Sequence, residues 1–159
     1  TAAKPLHPVP AAAVDHQQPP AHCQPGASMA KEKKKKSRKR QREAELRRSL
    51  REMRTAIDAF KNAVDLGLIP TTELEPGNEG YPPSLDILVE GISVANNVSG
   101  RQLRFLRRIP IDPTNGTSDW GLRSYQDESD SRTWGRQNVY DVYTRSTGTA
   151  LDGTDYTDW

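Results

Sequence analysis

Apolar residues fall at Leu46, Leu50, Met53, Ile57, Phe60 and Val64, a spacing of 4, 3, 4, 3 and 4. That is the repeat of an α-helix with one buried face. Ala56 and Ala63 widen the same stripe, and the opposite face carries Arg47, Arg48, Arg51, Glu52, Arg54, Asp58 and Lys61. Glu43 and Arg47 form an i, i+4 pair with the acid on the N-terminal side, the favoured orientation. Gly67 and then Pro70 end the pattern, because glycine admits the left-handed turn that closes a helix and proline cannot continue one. The spacing predicts a helix over 41–66, roughly 39 Å long. One stripe predicts one core.

Downstream the periods shorten. Pro82 and Pro83 force extended backbone, Ser84 offers an N-cap, and Leu85, Leu88 and Val89 make a small apolar face before Gly91. A short second helix is expected over 84–90. Residues 92–100 read as an irregular loop. Leu103, Phe105, Leu106 and Ile109 then alternate with Arg101, Arg104, Arg107 and Arg108 and run into the IPIDP turn. These arginines read as long side chains edging an acidic domain rather than as phosphate ligands. Residues 120–125 alternate as a first strand. Residues 138–145 alternate with Val139, Asp141 and Tyr143 on one face and Tyr140, Val142 and Thr144 on the other. A sheet over about 118–159 is expected, closed by a short strand near 155–159. Helices first and strands last predict an α+β fold. In it, a long N-terminal amphipathic helix packs on a small C-terminal antiparallel β-sheet, with a short second helix.

Composition adds a division of the chain. The 159 residues suffice for one domain. Residues 1–30, rich in Pro, Ala, His and Gln, show no periodicity and read as a disordered tail, either native or a tag, scar or mis-joined leader. His7, His16, His22 and Cys23 all lie in that tail. Residues 43–159 therefore lack the parts for a Ser-His-Asp site, a Cys-His site, a zinc finger or a disulfide. Residues 31–54 hold 13 basic and 4 acidic residues, net +9, whereas residues 55–159 hold 9 basic and 16 acidic, net −7. The basic run 31–42, KEKKKKSRKRQR, reads as a solvated helix start. Its other readings are an engineered solubilising segment, a nuclear-import-like patch, or an arm for phosphates or for anionic lipid headgroups. No aromatic is interleaved in it, so no nucleic-acid partner is expected.

Acidic residues are the only cluster with chemical potential. Asp152, Asp155 and Asp158 fall within one Gly-containing turn, and hard oxygen ligands at that density suit Ca²⁺. The spacing is not that of an EF-hand. The same residues also serve a polar turn that needs Asp and Gly for its backbone geometry. Asp127, Glu128 and Asp130 read as a solvated loop, and Trp120, Trp134 and Trp159 as core rather than as a ligand platform. No Gly-rich phosphate loop and no carboxylate pair in an apolar setting is present. The chain does not read as an enzyme.

The segments EAELRRSLREMRTAIDAFKNAVD, GYPPSLDIL, LRRIPIDP, DWGLRSY and NVYDVYTRS…ALDGTDYTDW, taken in order, resemble the soluble part of a type IV pilin-like protein. They are most similar to the major pseudopilin (G-type) of bacterial type II secretion systems, over residues 43–159. The resemblance implies a pilin-like fold and a role as a structural subunit. Such subunits leave the inner membrane and stack into a helical fibre that drives protein secretion or extends a pilus. Its implied partners are other pilin-like subunits and the inner-membrane secretion or pilus machinery. The implied location is the bacterial cell envelope, inner-membrane-anchored and periplasmic. The resemblance also implies a Ca²⁺ ion in the C-terminal loop. Asp152 and Asp155 match the ligand positions, and Asp158 stands where the family has Asn.

One departure is large. The family carries an apolar segment of roughly 20 residues ahead of the amphipathic half, and here KEKKKKSRKRQR occupies that place. A run this basic cannot sit in a bilayer core. It is read as a replacement that yields a soluble form, expected to be a monomer or weak oligomer in solution. The alternative reading is a soluble binding module whose basic arm, 31–42, docks on nucleic acid or an anionic membrane.

Overall fold

The computed structural model describes residues 26–95, 100 and 102–159. The predicted tail lies outside the described residues up to position 25. A single helix, α1 (Gly26–Asp65), runs for 40 residues. It begins well before the expected start at 41 and takes in the whole basic run. Ala, Lys, Glu, Arg and Gln are good helix formers. Adding them to a helix already nucleated by its packed half avoids the cost of a new nucleus. The other end closes as expected. Gly67 adopts φ +69°, Gly67 N donates to Val64 O at 2.9 Å, and Leu68 N donates to Ala63 O at 2.9 Å. That pair of bonds is a Schellman cap, which satisfies carbonyls the helix leaves orphaned.

The stripe is the core. Leu46, Met53, Ile57 and Phe60 are fully buried, and Leu50, Ala56, Ala63 and Val64 nearly so. Against them pack Ile69, Leu88, Val139 and Val142, and Phe105 meets Phe60 edge-on at 5.4 Å between ring centres. The helix α2 (Asp86–Glu90) is shorter than predicted. Its N-cap position is Leu85, with no side-chain cap, so Ser84 does not play the part expected of it. Leu88 anchors α2 from both sides: its side chain is buried, and its carbonyl accepts from Phe105 N at 2.9 Å and Leu106 N at 2.8 Å.

The strands form two separate antiparallel pairs rather than one sheet over 118–159. β1 (Ile92–Ser93) pairs with β2 (Gln102–Leu103), Ile92 opposite Leu103, where the sequence reads as a loop and a mixed segment. β3 (Gly121–Arg123) pairs with β4 (Asp141–Tyr143), Gly121 opposite Tyr143. Residues 120–125 and 138–145 thus supply strands as expected, but short ones. Val142, Tyr143 and Thr144 are buried in succession, so the expected two-face alternation fails. Val142 joins the core, the Tyr143 ring lies on Gly121, and Thr144 donates to the buried carboxylate of Asp112. A Cβ on Gly121 would stand 2.2 Å from the Tyr143 ring, so only glycine fits. The predicted closing strand is instead a 3₁₀ turn, Tyr156–Asp158, plus one bridge between Thr149 and Asp155. Tyr156 and Thr157 are both buried on that turn.

The observed class is a mixture of one long helix and small antiparallel pairs, compatible with α+β. Phe60→Ala is expected to lower the unfolding free energy by about 3–5 kcal/mol, read from the urea midpoint. Met29→Ala, at a side chain 62% exposed, should stay within about 0.5 kcal/mol of the parent.

Candidate functional site

Lys39, Glu43 and Arg47 follow one another at four-residue steps and so line one edge of α1. All three reach the C-terminal loop. Lys39 Nζ donates to Thr149 O at 2.6 Å. Glu43 Oε1 accepts from Leu151 N at 2.9 Å and from the Tyr156 hydroxyl at 3.1 Å. Arg47 Nη2 lies 3.4 Å from Asp152 Oδ2, and its guanidinium sits 4.0 Å above the centre of the Trp159 ring. The loop also binds itself: Asp152 Oδ1 accepts from Thr154 N at 3.0 Å and Thr154 Oγ1 at 2.7 Å, and Trp159 Nε1 donates to Thr154 Oγ1 at 2.9 Å.

These contacts decide what the three aspartates can do. Asp152 is engaged by Thr154 and Arg47, and the Thr154 bonds hold its pKa below the usual carboxylate range. Asp155 accepts from Thr149 Oγ1 at 3.3 Å. Asp158 is exposed on the terminal 3₁₀ turn. Among the described residues no three His, Cys, Asp or Glu side chains converge on a common point. Calcium needs six to eight oxygens at about 2.3–2.6 Å, and a guanidinium beside Asp152 opposes a second cation there. As arranged, the donor set does not fit the ion that the resemblance implies.

The remaining sequence candidates are separate. Asp127 accepts from Ser124 N at 2.7 Å and Gly135 N at 3.0 Å, which lowers its pKa and closes the loop between β3 and β4. Trp120, Trp134 and Trp159 each donate to a different acceptor, Pro110 O, Asn138 O and Thr154 Oγ1. They do not share a platform. Arg54 and Asp141 bond at 2.7 Å, so this arginine ties α1 to β4 instead of facing solvent.

Two features carry no signal in the linear sequence. Asp112, from the IPIDP turn, is fully buried and bonded to Thr114 and Thr144. Tyr81, Tyr125 and Tyr140 come from three distant segments and pack on one another with ring centres 5.2–5.8 Å apart. Tyr125 and Tyr140 remain 55% and 46% exposed. The Lys61 ammonium lies 5.8 Å from the Tyr81 ring centre. Only the aromatic count of this patch is visible before folding.

No protein-family model, no curated protein and no solved structure matches the chain. Its reading therefore rests on its own residues and geometry.

Glu43→Ala removes both acceptor bonds and should cost about 1–3 kcal/mol, with the C-terminal residues becoming accessible to carboxypeptidase. Excess Ca²⁺ or a chelator should leave the thermal midpoint of the parent within about 1 °C; a rise of several degrees that Asp152→Ala abolishes would place an ion in the loop. The pH response has two limbs. Asp152, depressed on folding, contributes stability that is present above its unfolded pKa of about 3.9 and lost as pH falls through the lower folded value. Burial, with the bond to Glu43, raises the Tyr156 pKa. Its contribution is present below about pH 10 and lost as pH rises through the folded value. Asp152→Asn should flatten the acid limb and Tyr156→Phe the alkaline one, read by denaturant midpoints across pH.

Proposed function

We propose that this chain is a structural subunit of a pilin-like fibre, of the type II secretion pseudopilus kind, in the bacterial cell envelope. Its action is assembly with other pilin-like subunits and with the secretion or pilus machinery, not catalysis. The observation that carries the reading is the two-part character of α1. From Leu46 to Val64 the helix is the core of the domain, and over residues 29–38 the same unbroken helix is exposed all round. A spine of about 60 Å, half clad and half bare, suits a subunit whose helix continues into contacts with neighbours. The order of the YPPSL, IPIDP and LDGT…DW segments supports it, as does the way the C-terminal loop folds back on the spine. No helix among the described residues is long and apolar enough to cross a membrane.

The test is a chimera joining residues 43–159 behind the apolar helix half of a pseudopilin, expressed in a secretion strain lacking its major subunit. Restored secretion with visible fibres is the expected result. A chimera that inserts and folds but gives neither sinks the reading.

A second reading has one observation in its favour. Lys31, Lys33, Lys34, Lys35 and Lys36 are exposed on a regular helix, an arrangement suited to docking on nucleic acid or an anionic membrane. An affinity for DNA or acidic vesicles that falls steeply with salt, and that is lost on deleting residues 31–42, would favour it.

A further inference from the structure

Among the described residues the molecule presents two exposed surfaces of opposite character. One is the arm. Lys31, Lys34, Lys35, Arg38 and Arg42 line one side of α1 at three- and four-residue steps, forming a cationic stripe. The first described bond from α1 to the body is made only at Lys39. The other surface is the tyrosine patch. Tyr81, Tyr125 and Tyr140 form an exposed aromatic cluster beside the C-terminal part of α1, with Asp58, Asp65 and Glu79 close by. Aromatic faces with carboxylates around them attract ammonium and guanidinium groups. The patch already holds one such cation, Lys61, which lies near the Tyr81 ring and pairs with Asp65 at 2.5 Å.

The arm cannot reach the patch of its own chain. Lys35 and Lys61 lie on the same continuous helix, and 26 residues of α-helix separate them by about 39 Å. We infer that the cationic stripe of the arm, Lys31 to Arg42, docks on the Tyr81–Tyr125–Tyr140 patch of a second copy of this chain. Two different surfaces meet in this contact, so the pair keeps one arm and one patch free, and the association propagates head to tail. The inference goes beyond the fibre reading: the contact uses residues 31–42, which the chimera lacks, so it is a separate association that does not depend on that reading.

The test is complementation between two full-length variants in reducing buffer, followed by analytical ultracentrifugation. Lys31→Glu/Lys34→Glu/Arg38→Glu reverses the stripe at exposed positions while keeping good helix formers, and it spares Lys39. Tyr125→Ala/Tyr140→Ala removes the two exposed rings. The parent chain should self-associate with rising concentration and dissociate as salt is raised. Each variant alone should associate at least tenfold more weakly. Their mixture should form a dimer of one copy each and nothing longer, because only one intact arm and one intact patch remain to meet.

Three results would overturn the inference: a parent that stays monomeric at low salt and the highest soluble concentration, variants that associate like the parent, or a mixture that stays monomeric. Arm-dependent binding to DNA or anionic vesicles by a parent that does not self-associate would also overturn it, in favour of the second reading. Circular dichroism and a thermal midpoint near the parent's certify that both variants fold. The two readings fail separately. Fibres from the patch variant would reject this contact and keep the fibre role, whereas a complementing pair with no secretion or fibres from the chimera would do the reverse.

Discussion

The burial of one helical stripe is what every other element depends on. Leu46 to Val64 presents a continuous apolar edge, and each later segment is placed by what it lays against that edge. α2 contributes Leu88, β4 contributes Val142, and the segment after β2 contributes Phe105 and Leu106. None of these pieces would hold alone: α2 is five residues long, and no strand among the described residues exceeds three. Two-stranded pairs of that length are not stable in water without a surface to lie on. The helix is therefore the template, and polar contacts fix its orientation. Arg54 bonds both the Asp141 carboxylate and the Val142 carbonyl, and Arg123 reaches the same Asp141.

That dependence explains which parts could be read before folding. A stripe of six residues over five helical turns is a long, redundant signal, and its burial and its C-terminal cap follow the reading closely. The strands of β3 and β4 could be placed because Leu122 and Val142 sit in alternating segments. β1 and β2, at two residues each, are shorter than any period and cannot announce themselves. The stripe does not mark the start of α1, because it ends at Leu46 whereas the helix continues back to Gly26. The C-terminal loop shows the opposite limit. Asp152, Asp155 and Asp158 are close in sequence, but Thr149 occupies Asp155, and Asp152 is held by Thr154 and Arg47. The last of these comes from a helix more than 100 residues away in the chain.

The loop and the arm are linked by that same helix edge. Lys39, Glu43 and Arg47 bind loop groups of three kinds: a carbonyl, an N–H with a hydroxyl, and a carboxylate with an indole face. An ion at Asp152 would gather oxygens only. This edge instead supplies both donors and acceptors, so the loop closes on the spine through directional bonds at three successive turns. The bonds begin where the bare half of α1 ends, and they fix the direction in which the arm leaves the body.

The arm's charge does nothing for the helix that carries it. α1 has no acidic residue in its first turn and no basic residue in its last, whereas the macrodipole favours acids at the N-terminus and bases at the C-terminus. Lysines at i and i+4, such as Lys31 with Lys35, repel by a few tenths of a kcal/mol per pair. Asp65 closes the far end of the helix with the wrong sign. Neither end turn of α1 thus carries the charge the dipole favours, and the basic run and Asp65 leave the helix basic toward one end and acidic at the other. Conflicts between local preference and fold collect where a protein uses the residues for something else. A long dipole of the unfavourable sense is a cost to one molecule, but between two molecules placed end to end it becomes an attraction. In the proposed contact the opposed charges face each other across an interface, and the helix that holds them apart within one chain would bring them together between two.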